Sequence, residues 1–180
     1  MLKKHGLRAL LGVPVRYITE RSNASAEQRL CIPYTMAMQD GFFEKKAPFC
    51  TWEEIREMIS SGVVQIASHS YAHCNLTFPF VDLNREVIES KRILEEKLDQ
   101  PITSFIYPFG KVNRPLHEFV MQHYRYAFRI GDAANWTWDC SIRPISRIKS
   151  DNTDTEQLLS PRLMCFSFLK GICLRLLQRL

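Results

Sequence analysis

Val63-Val64-Gln65-Ile66-Ala67-Ser68-His69-Ser70-Tyr71-Ala72-His73 runs from an apolar, β-branched stretch straight into two histidines four residues apart. Val63 to Ser68 read as a strand. Ahead of it, Thr51-Trp52-Glu53-Glu54 predicts a helix start, with Thr51 as cap and Glu54 completing a capping box. Ile55, Met58 and Ile59 share one face of that helix, and Gly62 stops it. The same alternation continues on both sides. Leu7 to Val15, bounded by Gly6 and Pro14, reads as a strand buried on both faces. Asp82 opens a helix whose Leu83, Val87, Leu94 and Leu98 recur at helical spacing until Pro101. Ser104 to Tyr107 is a strand, a helix follows Asn113 with Leu116, Phe119 and Val120 inward, and Tyr126 to Ile130 is a further strand. Residues 19–50 lose all periodicity and read as a long irregular connection. Strand, loop and helix in repetition indicate an α/β fold with a parallel sheet and helical crossovers. In an α/β barrel the chemistry lies at the C-terminal ends of strands, which directs attention to the loops after Ser68, Tyr107 and Ile130.

Composition agrees with a globular domain: 180 residues, 46% hydrophobic and 24% charged, with 7 Gly and 9 Pro, exclude a disordered, collagen-like or low-complexity chain. No run approaches the length of a membrane-spanning helix, and the basic start Met1-Leu2-Lys3-Lys4-His5-Gly6 lacks the apolar core of a signal peptide. The net charge is +5, but Arg162, Lys170, Arg175 and Arg179 in residues 158–180 face no acid there, leaving 20 basic against 19 acidic groups elsewhere. That balance provides no basic face for nucleic acid. Six cysteines without a CxxC pair or regular spacing argue against a zinc ribbon or a disulfide scaffold and read as buried free thiols. The expected organisation is one domain over residues 1–157 and a basic amphipathic helix over 158–180. In that helix Phe166, Leu169, Cys173, Leu176 and Leu180 fall on one face and Ser167, Gly171, Arg175 and Arg179 on the other. Such a helix either packs on its own domain or lies on an anionic membrane surface through residues 163–180.

Two imidazoles four apart at the end of a strand meet on one side of a helical turn and can grip one divalent metal; two loop histidines can equally cap or hydrogen-bond. Position 70 is Ser, so the Glu that zinc proteases place beside the first His is absent. After the next strand, Tyr107-Pro108-Phe109-Gly110 forms a tight turn that places two aromatic rings at one rim of the sheet, where they either stack on sugar rings or pack as core. Trp136, in Asn135-Trp136-Thr137-Trp138, has the same two readings: a substrate wall or buried packing.

Leu7–Val15, the Thr51–Met58 helix, the Ser61–His73 segment and Ser104-Phe105-Ile106-Tyr107-Pro108-Phe109-Gly110, in that order, resemble the polysaccharide deacetylase (NodB-homology) domain over roughly residues 1–150. The resemblance implies a distorted (β/α) barrel and metal-dependent removal of acetyl groups from N-acetylglucosamine polysaccharide. It implies His69 and His73 as ligands of a divalent metal, foremost zinc, in an Asp-His-His triad, and Tyr107, Pro108, Phe109, Gly110 and Trp136 as substrate-binding residues.

The family draws its metal-binding Asp and its base Asp from a Thr-Phe-Asp-Asp-Gly segment on the first strand, and the chain has no such segment. Leu7–Val15 resembles the family's second strand, so the first strand and the catalytic base are expected upstream of Met1. Gln39-Asp40-Gly41 imitates Asp-Asp-Gly but follows the second strand, and Asp40 is read as a decoy. Ile106 stands where many members have Arg, and no His follows His123 to serve as the late acid. The expectation is a metal-dependent N-deacetylase lineage with impaired activity in this chain. Its rival is a non-catalytic carbohydrate-binding or interaction protein that keeps the scaffold.

Overall fold

The computed structural model describes residues 2–148 and 161–176. The chain forms two compact units: Met1–Cys74 with Phe80–Thr103, and Asn75–Pro79 with Ser104–Leu180. The boundary expected at residues 157/158 lies outside the described residues.

In the first unit β1 (Ala9–Val13) pairs in parallel with β2 (Val64–Ser68), in register from Ala9 opposite Val64 to Val13 opposite Ser68. The strand is shorter than the run Leu7–Val15 and is not buried on both faces: Ala9 to Gly12 are half-buried and only Val13 is fully covered. Within that pair β1 has a strand on one side only. Pro14, which lacks an N–H, ends it. The connection from β1 to β2 holds a short turn at Val15–Tyr17 and then α1 (Ala26–Leu30), α2 (Tyr34–Ala37), α3 (Asp40–Lys46) and α4 (Trp52–Ser60). Residues 19–50 are therefore not irregular throughout.

The start of α4 is as the sequence predicts. Thr51 Oγ1 accepts the Glu54 N–H at 3.3 Å, and Glu54 Oε2 accepts the Thr51 N–H at 2.8 Å. Trp52 and Ile55 are buried beneath it. Arg29 of α1 donates to both oxygens of the Glu54 carboxylate and to the Phe49 carbonyl, tying the connection to α4. The guanidinium holds the Glu54 carboxyl down at about 2.

Asp82 caps the next helix, its Oδ1 accepting from the N–H groups of Asn84 and Arg85. The first turns, Asn84–Glu89, are π-helical and run into α5 (Ser90–Leu98). Val87 and Leu94 are buried, as their spacing requires.

In the second unit β3 (Ser104–Ile106), β4 (Tyr126–Ile130) and β5 (Ile145–Arg147) run parallel, with Ser104 opposite Tyr126 and Phe128 opposite Ile145. The crossover from β3 to β4 is α6 (Arg114–Met121), capped by Asn113 on the Leu116 N–H at 3.0 Å. The inward side is Leu116, His117 and Val120, while Phe119 is only half-buried.

The last helix, α7 (Pro161–Leu176), reverses the expected packing. Ser167 and Gly171 are buried, while Phe166 and Leu169 are exposed. The reason is steric: a Cβ at Gly171 would stand 2.8 Å from the Ala134 carbonyl oxygen, so only the small-residue face approaches this closely. The Ser167 carbonyl accepts the Ala134 N–H at 2.8 Å. Side chains beyond Cys173 lie outside the described residues. No described helix is long and apolar enough to cross a membrane.

Candidate functional site

His69 continues the β2 ladder by one bond, its N–H donating to the Val13 carbonyl at 3.1 Å. The chain then leaves the strand through left-handed backbone at Ser70 (φ 67°) and His73 (φ 53°), not through the helical turn that the spacing suggests. Non-glycine residues in this conformation cost on the order of 1–3 kcal/mol each and persist where the surroundings over-determine them. Here they do. The buried Ser70 accepts the His73 N–H on Oγ at 3.0 Å, and its carbonyl accepts from Val15 N at 3.3 Å. Glu86, 7% exposed, accepts the N–H groups of Tyr71 and Ala72 on one oxygen, Oε2, at 3.0 Å each. The Arg85 guanidinium lies 4.3 Å over the Tyr71 ring.

The loop so held brings the two imidazoles together, with ring centroids 4.6 Å apart and planes at 64°. Burial pushes the His73 pKa down, favouring the neutral imidazole that ligates metals. The Tyr34 hydroxyl, from α2 in the long connection, stands 3.5 Å from His73 Nδ1. Burial, reinforced by Glu86, pushes the Cys74 thiol up to about 11, so it is not a thiolate at neutral pH. Asp40 does not join the histidines; its Oδ1 takes the Arg16 guanidinium at 2.8 Å. Among the described residues no group of three or more His, Cys, Asp or Glu is placed to hold a metal ion. Among the described residues two imidazoles stand together, where a catalytic zinc centre takes three protein ligands.

Glu86 and Ser70 escaped the sequence reading as positioning residues. A signal was available for Glu86. It falls with Ser90 on the same helical stripe as Leu83, Val87 and Leu94, and polar residues within an apolar stripe need a buried partner.

The turn after β3 belongs to the second unit. Its two rings do not share a rim: Phe109 is 56% exposed, but Tyr107 is 1% exposed. The Tyr107 hydroxyl lies 2.9 Å from His117 Nδ1, and His117 Nε2 lies 2.7 Å from the Cys140 carbonyl. A carbonyl only accepts, so Nε2 carries the proton and Nδ1 accepts from the phenol. Burial also keeps His117 below its ordinary pKa, in keeping with that neutral tautomer. Pro108 and Gly110 are buried too. Gly110 has φ 64°, and a Cβ there would stand 2.8 Å from the Ile130 carbonyl oxygen, so the turn needs glycine. Trp136 is 42% exposed with its ring centroid 5.0 Å from that of Phe168 on α7. Phe109 and Trp136 therefore present aromatic surface, whereas Tyr107, Pro108 and Gly110 shape the turn from within.

No curated protein matches the chain. Solved structures do. The deacetylase PplD of Streptococcus pyogenes, in complex with acetate, is 19% identical with a TM-score of 0.60, covering 88% of this chain and 60% of its own. A de-N-acetylase from Aggregatibacter actinomycetemcomitans is 16% identical at TM-score 0.59, covering 87% and 66%. A polysaccharide deacetylase from Bacillus cereus is 24% identical at TM-score 0.55, covering 61% and 35%. The chain thus spans between about a third and two thirds of these proteins' lengths. The likeness shows the fold, the α/β architecture of the deacetylases. Residues 2–127 match the family model described as polysaccharide deacetylase, and the chain belongs to that family.

Proposed function

We propose that this chain carries part of the catalytic site of a metal-dependent carbohydrate N-deacetylase, which hydrolyses the acetamide of N-acetylglucosamine units in a polysaccharide. The observation that supports it most is the His69–His73 pair, set at the end of β2 by a loop whose strain is held by Ser70 and Glu86. Such a divalent ion, zinc foremost, polarises an acyl carbonyl and lowers the pKa of water when bound. His69 and His73 would supply two of its ligands through neutral ring nitrogens. Ser70 and Glu86 would keep those nitrogens in place; in the second unit, taken by itself, the exposed ring faces of Phe109 and Trp136 would offer sugar rings a stacking surface.

No third His, Cys, Asp or Glu among the described residues stands with the pair, so a third ligand and a base would have to come from elsewhere. They would be Asp residues on a strand preceding β1, so residues 1–180 by themselves are expected to bind metal weakly and release little acetate. The test compares metal titration and acetate release from N-acetylglucosamine oligomers by this chain and by a version with an Asp-bearing strand added ahead of β1. Activity should arise only in the extended version and disappear in His69→Ala and His73→Ala. Equal activity in both versions would overturn the placement of the carboxylates. Oligomer binding without acetate release in either version would favour a non-catalytic carbohydrate-binding protein.

A further inference from the structure

Where β4, β5 and α7 meet, the second unit holds a hollow of about 300 Å³ whose lining is dominated by cations: Arg129 of β4, Arg143 from the segment before β5, and Lys170 of α7. Asp132 and Ser146 also line it. Three formal positive charges thus face one negative. Each of the three cations is half-buried, and among the described residues none is in a salt bridge. Like charges gathered in a concave, partly dry site repel one another and raise its potential, a cost that a bound anion offsets.

We infer that this hollow binds a compact oxyanion, a phosphate or carboxylate group, with Arg129, Arg143 and Lys170 as its donors. The walls are already set for it. The N–H groups of Gly131 and Asp132 both donate to the Arg147 carbonyl at 3.2 Å, fastening the loop after β4 onto β5. The Asn135 side chain grips the Ser146 backbone from both sides, Nδ2 donating to the carbonyl at 2.7 Å and Oδ1 accepting the N–H at 2.8 Å. Arg129 Nε donates to the Ile130 carbonyl at 3.3 Å, which orients the guanidinium. A Cβ at Gly131 would stand 2.7 Å from Ser146 Oγ and 3.7 Å from Arg129 Nε, so glycine keeps this wall clear. Two arginines suit the planar, multiply accepting edge of a phosphate or carboxylate, and the lysine adds a point charge. The volume, at the lower end of ligand sites, admits the anionic group and part of whatever carries it. The pocket lies within the second unit and needs neither His69 nor His73.

Binding of inorganic phosphate, glucuronate, glucose 1-phosphate and neutral glucose to the whole chain, followed by calorimetry and by the amide signals of Gly131 and Asp132, tests the inference. Phosphate and glucuronate should bind and glucose should not. Arg143→Gln and Lys170→Gln should each weaken binding about tenfold, the loss of one charge-assisted hydrogen bond. Arg125→Gln removes a cation of the same unit outside the hollow, over the Tyr126 ring, and should change nothing. Unliganded melting temperatures confirm that each variant folds. Glucose 1-phosphate binding more tightly than free phosphate assigns the anion to a sugar, and equal affinities assign it to the free ion. No binding by any of the three anions, or equal losses in Arg125→Gln and Arg143→Gln, would overturn the inference.

Discussion

Replacing Tyr107 by Phe deletes one oxygen and leaves the ring where it is, so the apolar burial of a residue 1% exposed is unchanged. What changes is His117, itself 2% exposed, whose Nδ1 loses the hydroxyl 2.9 Å away and becomes a buried acceptor without a donor. The ring cannot recover by moving its proton to Nδ1, because Nε2 would then face the Cys140 carbonyl at 2.7 Å, acceptor against acceptor. Taking up a second proton is no better. Burial already disfavours the imidazolium, and the new Nδ1–H would have nowhere to donate. An unsatisfied buried polar group costs about 1–3 kcal/mol, which is the expected loss of stability. Urea unfolding followed by tryptophan fluorescence measures it, in a cycle with His117→Leu. In the His117→Leu background Tyr107→Phe should cost less than about 0.5 kcal/mol, since no stranded acceptor remains. A loss equal in both backgrounds, or no loss in either, would refute the assigned tautomer and network. If oligomer binding fell while the unfolding midpoint held, Tyr107 would be a substrate contact after all.

Stability should also fall on mild acidification. Burial pushes the pKa of His73 and His117 below the ordinary 6.5, so the unfolded chain takes up their protons first. Their contribution is complete above 6.5 and is lost as pH falls through that value toward the lowered ones. Melting temperatures at about pH 7.5, 6.5 and 5.5 should step downward, and a flat series would contradict the burial of both rings. Glu86→Leu strands the Tyr71 and Ala72 N–H groups, at about 1–3 kcal/mol each, and should shift the NMR signals of His69 and His73; Glu86→Gln keeps an accepting oxygen and should restore both. Gly110→Ala meets both a left-handed φ of 64° and the Ile130 carbonyl at 2.8 Å, whereas Gly6→Ala shares the φ in open space. Gly6→Ala should therefore cost about 1–2 kcal/mol and Gly110→Ala distinctly more by denaturant unfolding, and similar losses would mean that the turn can yield.

The first four strands, the α4 capping box and the stretch from Asp82 to Leu98 were legible because each repeats a period long enough to register, apolar residues at helical spacing or a β-branched run between turn residues, whereas the three-residue β5 went unread. The helices α1, α2 and α3 were not. They have 5, 4 and 7 residues, under two turns each, so no stripe develops. The Ser25–Gln28 capping box that the structure shows at the start of α1 was a signal that the reading of residues 19–50 as irregular passed over. At the site, the histidine pair was legible as a pair, but its backbone was not: spacing of four fits a helical turn and a strained loop equally. What distinguishes them is the chain of acceptors at Ser70 and Glu86, and Glu86 lies on a different element.

The turn and the last helix show why an apolar pattern locates a face without saying what covers it. Tyr107 and Phe109 stand two apart with the same chemistry, yet one donates into a buried network and the other is exposed, because the turn gives Phe109 a φ of 57° and swings it outward. On α7 the transfer energy of Phe166 and Leu169 favours burying their side. The backbone of the loop at Ala134 comes so close, however, that the facing position must have no Cβ at all. Close approach at Gly171 brings the Ser167 carbonyl onto the Ala134 N–H and Phe168 against Trp136, and those contacts hold the helix by its small-residue side. A stripe of large apolar residues is a statement about solvent, while a small residue opposite a backbone is a statement about distance. Where the two conflict, as on α7, the second sets the packing and the first leaves an apolar face exposed.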